Sequence, residues 1–241
     1  MPKRKRSSAA TKRRYKRRRR VYRLKRKRYR KARNLVLGGF PKTKIVKLRY
    51  VQEITLNSAS GVYDVHSFRA NSLFDPDYNG VGHQPSNFDR WMEIYNHYTV
   101  VGSKITAKYM PSTNPSSNAG GYFGIMLTDD STTMATVHAN GGAANVMEQR
   151  LNHTCRFVAG AHVLGHPCTV VKKFSAKKFF GKKDVVMDSL YRGDVASNPA
   201  EEAFFSIYQM AVGGNDPGSM NVLVRIDYIA VLSEPKESDA S

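Results

Sequence analysis

Cysteine is nearly absent: the 241 residues hold two, Cys155 and Cys168. Two thiols cannot build a disulfide framework, so the sequence fits a reducing compartment such as cytosol or nucleus, and the Asn152-His153-Thr154 sequon is expected to stay unglycosylated. No run approaches the roughly 18 uninterrupted apolar residues of a membrane span. Met1 to Arg33 contains no apolar stretch that could act as a secretory signal. The expectation is a soluble chain without membrane insertion. Acid is missing from the front of the chain, where the first carboxylate is Glu53.

The signatures of catalysis are missing too. There is no G-x-S-x-G elbow and no glycine loop of the kind that cradles phosphate. His66, His83, His97, His138 and His162 are dispersed, with no H-x-H. His153 with Cys155 and His166 with Cys168 form two H-x-C pairs that would share a face if extended, but zinc spacings are not met. Asp75, Asp77, Asn79 and Gly80 open like a calcium loop, yet Pro76 stands second and the twelfth position is Ser86. A turn-rich loop fits better, with a weaker oxygen-ligand site at a subunit contact as the alternative. The adjacent carboxylates Asp129 with Asp130 and Glu201 with Glu202 read as solvated. No catalytic residue, metal site or cofactor is expected, and the chain does not read as an enzyme.

What is present is charge, and it is concentrated. The chain has 39 Lys+Arg against 19 Asp+Glu. Twenty of the basic residues fall before position 34: Lys3, Arg4, Lys5, Arg6, Lys12, Arg13, Arg14, Lys16, Arg17, Arg18, Arg19, Arg20, Arg23, Lys25, Arg26, Lys27, Arg28, Arg30, Lys31 and Arg33. From residue 34 on, 19 basic residues face 19 acidic ones, a formal net of zero. The sequence is a neutral body carrying a +20 arm.

An arm without acids and almost without apolar side chains has nothing to offset the backbone entropy of folding, so it is expected to be disordered when alone. So dense a run of like charge calls for a polyanion, and nucleic acid fits because each neutralised phosphate releases condensed counterions whatever the sequence. Arginine outnumbers lysine, and its guanidinium grips phosphate in bidentate fashion and stacks on bases. Tyr15, Tyr22 and Tyr29 recur every seven residues among the cations. Aromatics so placed suit the open faces of unpaired bases, or line one side of a helix that forms on binding. These three tyrosines and the twenty cations are the expected nucleic-acid contacts. Pro2, Lys3, Arg4, Lys5 and Arg6 also match a short nuclear-import signal, which makes import receptors a second partner.

Beyond Gly38-Gly39-Phe40-Pro41 the pattern changes to period two. Val46, Leu48, Tyr50, Ile54 and Leu56 alternate with Lys47, Arg49, Glu53 and Thr55, predicting a half-buried strand. Further strands are predicted over 62–69, 99–110, 121–128, 155–160, 168–175, 203–212 and 221–232. Phe88, Trp91, Met92 and Tyr95 have helical spacing, with Ser86 and Asp89 reading as a capping box. Long polar connections separate the strands at 111–121, 129–152 and 213–220. Eight strands with such loops predict an all-β fold, a single eight-stranded antiparallel jelly roll with a short helix. The expected division is an arm over 1–40, a jelly-roll domain over 41–234 and a flexible tail over 235–241.

The phrases FRANSLFDPD (68–77), GHQPSNFDRW (82–91), YNHYTVVGSKI (95–105), KKFSAKKFFG (172–181) and NPAEEAFFSIY (198–208) follow the basic arm in that order. In this the chain resembles capsid proteins of circular, replication-initiator-encoding single-stranded DNA viruses, the circovirus-like group. The resemblance implies two four-stranded sheets and about 60 copies closing an icosahedral shell, since heterologous contacts must come round on themselves. It also implies an inward arm that packages a circular single-stranded DNA genome, and placement in the virion and, during assembly, the host nucleus. About 60 such arms neutralise on the order of 1,200 phosphates. Lys42, Lys44, Lys47 and Arg49 carry basic character into the first strand, as inner-wall residues or as solvated strand lysines. The alternative to a capsid protein is a non-viral nuclear nucleic-acid-binding protein with a β-sandwich domain, and a third reading is a membrane-surface protein whose arm meets anionic lipid.

Overall fold

Met1–Lys42 and Thr43–Ser241 are separate units, and the second holds the fold. The computed structural model describes residues 39–59, 62–78, 80, 82–111, 121–150, 152–158, 169–211 and 216–237, without the side chains of 110–111 and 152–158. Eight strands run in the predicted order: β1 (Thr43–Asn57), β2 (Tyr63–Arg69), β3 (Tyr95–Pro111), β4 (Gly121–Thr128), β5 (Asn152–Val158), β6 (Thr169–Ser175), β7 (Phe204–Ala211) and β8 (Ser219–Pro235). They make two antiparallel sheets ordered β1-β8-β3-β6 and β2-β7-β4-β5. The first strand pairs with the last, and consecutive strands fall mostly in opposite sheets. That interleaving is a jelly roll.

Period-two alternation sets the core. Val46, Leu48, Tyr50, Ile54 and Leu56 of β1 are buried, as are Val222, Val224, Ile226, Tyr228, Ala230 and Leu232 of β8. Phe68, Phe123, Ile125, Leu127, Phe205 and Ile207 meet them from the second sheet in one cluster. A bulge between Val100 and Gly102 sets Val101 out of register in β3, so that Tyr98 and Val100 before it and Ser103 and Ile105 after it all share the buried side. At Gly102 a Cβ would lie 3.3 Å from the Phe174 carbonyl oxygen, so the glycine admits the close approach of β6.

The sheets differ in their second faces. Every residue of β7 is buried, because the outer side of its sheet is covered by two short helices, α1 (Thr133–Ala139) and α2 (Gly142–Glu148). Met134 and Val146 of these helices pack with Met126, Tyr208 and Met210. The stretch 129–152 is therefore not the plain loop expected from sequence. Its threonines and paired glycines are weak helix formers, and the apolar face of the sheet decides the matter. The other sheet keeps an open face, as antiparallel sheets often do.

The predicted helix is real but shorter. Helix α3 (Phe88–Met92) buries Phe88 and Met92, while Trp91 is half-buried against the core and Tyr95 already belongs to β3. The capping box is not formed: Asn87 is the cap residue, at φ 68°, and makes no side-chain bond to the helix. A one-turn helix, α4 (Ala176–Phe179), follows β6.

Lys172 points toward the core from β6, between Val170 and Phe174, and is 4% exposed. Burial pushes its ammonium down to about 8 from 10.5. Between those values the unfolded chain holds more protons than the folded one, so stability rises with pH across that window. The difference in urea midpoint between wild type and Lys172→Met is expected to narrow as pH climbs from about 8 toward 10. A pH-independent difference contradicts this.

Candidate nucleic-acid interface

All predicted arm contacts, from Pro2 to Arg33, lie outside the described residues. The H-x-C pairs do as well, since the side chains of His153 and Cys155 are not described and His166 and Cys168 fall in an undescribed stretch. The basic residues that follow the arm are described: Lys42, Lys44, Lys47 and Arg49 are all exposed. Lys47 and Arg49 project from β1 on the open face of the first sheet, because the residues alternating with them, Val46, Leu48 and Tyr50, fill the core.

Strand register carries that basic character across the whole sheet. Arg49 lies opposite Asp227 of β8, Asp227 opposite Lys104 of β3, and Lys104 opposite Lys173 of β6. Four strands about 4.8 Å apart make this row about 14 Å long. The next row on the same face is Val51, Arg225, Thr106 and Val171, and the one beyond it is Glu53, Leu223, Lys108 and Thr169. On the other side runs Lys47, Ile229, Gly102 and Ser175. Six cations thus share the face with two carboxylates.

One of those carboxylates is already neutralised within the protein. Asp227 Oδ1 accepts from Arg49 Nε and its Oδ2 from Arg225 Nη2, each at 2.8 Å. Burial acts to raise its pKa, but the two guanidinium hydrogen bonds outweigh it and hold the carboxyl below the ordinary value. The arginines remain half exposed, at 53% and 43% of the side chain, and the carboxylate only 6%. The row therefore presents cations outward with their counter-charge sunk beneath them. Arg225 Nε is buried without a hydrogen-bond partner among the described residues.

No family model and no curated protein matches the sequence. Among solved structures the chain is similar to that of Mud crab tombus-like virus, at 11% identity and a TM-score of 0.45, covering 86% of this chain and 98% of that one. It is similar to tobacco necrosis virus at 14% identity and 0.43, covering 83% and 86%. It is similar to the decameric BFDV capsid protein at 8% identity and 0.36, covering 79% and 99%. The jelly roll itself is established by the ladder order.

The calcium-like loop has another use. Asp77, fully buried, accepts from Gln52 Nε2 at 2.8 Å and lies 2.8 Å from His66 Nε2, while the Tyr50 hydroxyl donates to Gln52 Oε1. Arg69 Nη1 donates to Asp75 Oδ2 at 2.7 Å and Arg69 Nε to Glu202 Oε1 at 2.6 Å, with Tyr78 under the guanidinium. Asp75 and Asp77 hold the 70–78 loop to strands β1 and β2, and Glu202 joins the same arginine from the segment before β7. Glu202 is accordingly a structural partner and not merely solvated, contrary to the sequence expectation. Asp130 is also engaged, accepting from the Thr132 amide at 2.8 Å. Among the described residues no three metal-ligating side chains converge.

His83 stacks on Tyr50 and so borders the network that holds His66, whereas His138 packs on Tyr63 and His97 lies 3.5 Å from Glu234. A cleft between the end of β4 and α4 is lined by Asp129, Arg150, Lys178, Phe179 and Glu201, among others, with no histidine, cysteine or serine among the described residues that line it.

Proposed function

We propose that this chain is a viral capsid protein. Its jelly-roll body over 41–234 builds a closed icosahedral shell of about 60 copies, and its arm over 1–40 gathers a circular single-stranded DNA genome inside. Its action is geometric and electrostatic: the body provides shape and the arm neutralises phosphate. The observation that carries this reading is the division of charge, a formally neutral jelly roll preceded by twenty cations without one acid. Neutral bodies pack side by side without mutual repulsion, and an acid-free arm has the counterion-releasing capacity a packaged genome requires. The order of the circovirus-like phrases along the body supports it further. The import signal at Pro2 to Arg6 brings the protein to the host nucleus before it enters the virion.

The test is negative-stain microscopy of the purified full-length protein after nuclease treatment, with the absorbance ratio at 260 and 280 nm. Uniform closed particles that protect nucleic acid are expected. A small species stripped of nucleic acid instead identifies a nuclear nucleic-acid-binding module on a sandwich scaffold.

A further inference from the structure

We propose that the open face of the β1-β8-β3-β6 sheet is a second nucleic-acid contact, a built surface that takes the phosphate backbone of a single strand across Lys47, Arg49, Lys104, Lys108, Lys173 and Arg225. The proposal rests on the reading that the arm binds nucleic acid and adds the place where that strand touches the body. Three observations carry it. The first is that the two sheets are treated unequally: in one the strand β7 is buried on both faces under two helices, whereas this one leaves a face to solvent with cations from all four strands on it. The second is the fate of Asp227, pinned beneath Arg49 and Arg225 so that the acid nearest the centre of the row offsets one guanidinium charge, leaves the trio net positive and is itself shielded from solvent. The third is the composition of the face. Its neutral positions are small or aliphatic, such as Val51, Thr106, Val171, Leu223 and Ile229, and no aromatic ring stands among the rows.

That composition specifies the ligand chemistry. Base recognition in single strands depends on aromatic platforms, which this face lacks, so it engages phosphates and not bases and is indifferent to sequence. Successive rows are about 6.6–6.8 Å apart, two residues along a strand, so the cations form a band and not a single pocket. Lysine suits such a surface, because a point charge on a flexible stem follows a backbone without demanding one geometry. The assignment also orients the body: this sheet faces the nucleic acid, and helices α1 and α2, on the opposite sheet, face away from it.

The test is lysine footprinting. Full-length protein with and without single-stranded oligothymidylate is lightly acetylated and read position by position by mass spectrometry, and the complex is read again after any particles are opened in high salt so that nuclease digests the oligonucleotide completely. Lys47, Lys104, Lys108 and Lys173 are expected to acetylate several-fold more slowly in the complex and to recover after digestion, while the exposed Lys177 and Lys183 change little. Protection of the arm lysines Lys12, Lys16 and Lys25 without protection of these four overturns the proposal and leaves the arm reading intact. Protection at neither place overturns both. Protection that survives nuclease means that the face is covered by protein, a second copy included, and overturns the proposal. As a second measurement, replacing Lys47, Lys104, Lys108 and Lys173 together by Gln in the full-length chain is expected to reduce the slope of log affinity against log salt by about 3. An unchanged slope overturns it.

Discussion

Deleting residues 1–33 is expected to leave a folded body and to flatten the salt dependence of single-stranded DNA binding by on the order of 10 in the slope of log affinity against log salt. The size follows from the arithmetic of the arm, in which each of twenty cations that meets a phosphate adds about 0.7 to that slope. The fold should survive because the core is closed without the arm. β1 begins at Thr43, and its buried residues Val46 to Leu56 have their partners in β8 and the opposite sheet. Far-UV circular dichroism checks the β content, and filter binding over a salt series checks the slope. Nuclear entry of the truncated chain should be lost with the Pro2 to Arg6 signal. A remaining slope of about 3 is what the sheet face would supply by itself. Retention of the full-length slope by the truncated chain contradicts the assignment of the arm.

Replacing Asp77 by Ala is expected to destabilise the body by about 2–4 kcal/mol, since each buried group that loses its hydrogen-bond partner costs about 1–3 kcal/mol. The carboxylate is fully buried, and its removal takes one hydrogen-bond partner each from Gln52 Nε2 and His66 Nε2. Asp77→Asn, which keeps the shape and one acceptor, should lose less. Urea unfolding followed through the single tryptophan, Trp91, measures both. Loop 70–78 should also become cleavable by protease, since its tether to β1 and β2 runs through this residue and Arg69. A loss below about 1 kcal/mol, typical of one solvated hydrogen bond, would show that the network is not a tether.

The strands were legible because alternation is a local property. Val46 to Leu56 and Val222 to Leu232 declare one buried side each, and the structure buries those sides. What sequence could not show was anything decided by a distant partner. The threonine- and glycine-rich stretch 129–152 reads as loop until the apolar outer face of β4 and β7 is there to hold Met134 and Val146. Tyr95 has the spacing of a helical residue, but pairing with Pro235 draws it into β3. Asp75 and Asp77 look like metal ligands in a window of twelve residues, whereas their partners Gln52, His66 and Arg69 come from other strands. The basic row is the extreme case. Lys47 and Arg49 are visibly on one side of β1, but their alignment with Lys104 and Lys173 depends on three ladders and on the bulge after Val100. The arm needed no partner to be read, because its signal is composition alone.

The pairing of the first strand with the last has a consequence for the protein's birth. Arg49 and its partner Asp227 are 178 residues apart. At roughly 5–20 residues per second of synthesis, β1 waits on the order of 10–35 s for β8 to emerge. For that interval the arm is outside the ribosome with all its cations, while the body is an incomplete set of unpaired edges. By composition alone the arm is able to meet the nearest polyanion, ribosomal or messenger RNA included, while the body is still incomplete. On the capsid reading proposed above, this order of elements exposes the arm to nucleic acid before the body can assemble, and selective packaging is then decided after synthesis, by exchange of whatever the arm met first.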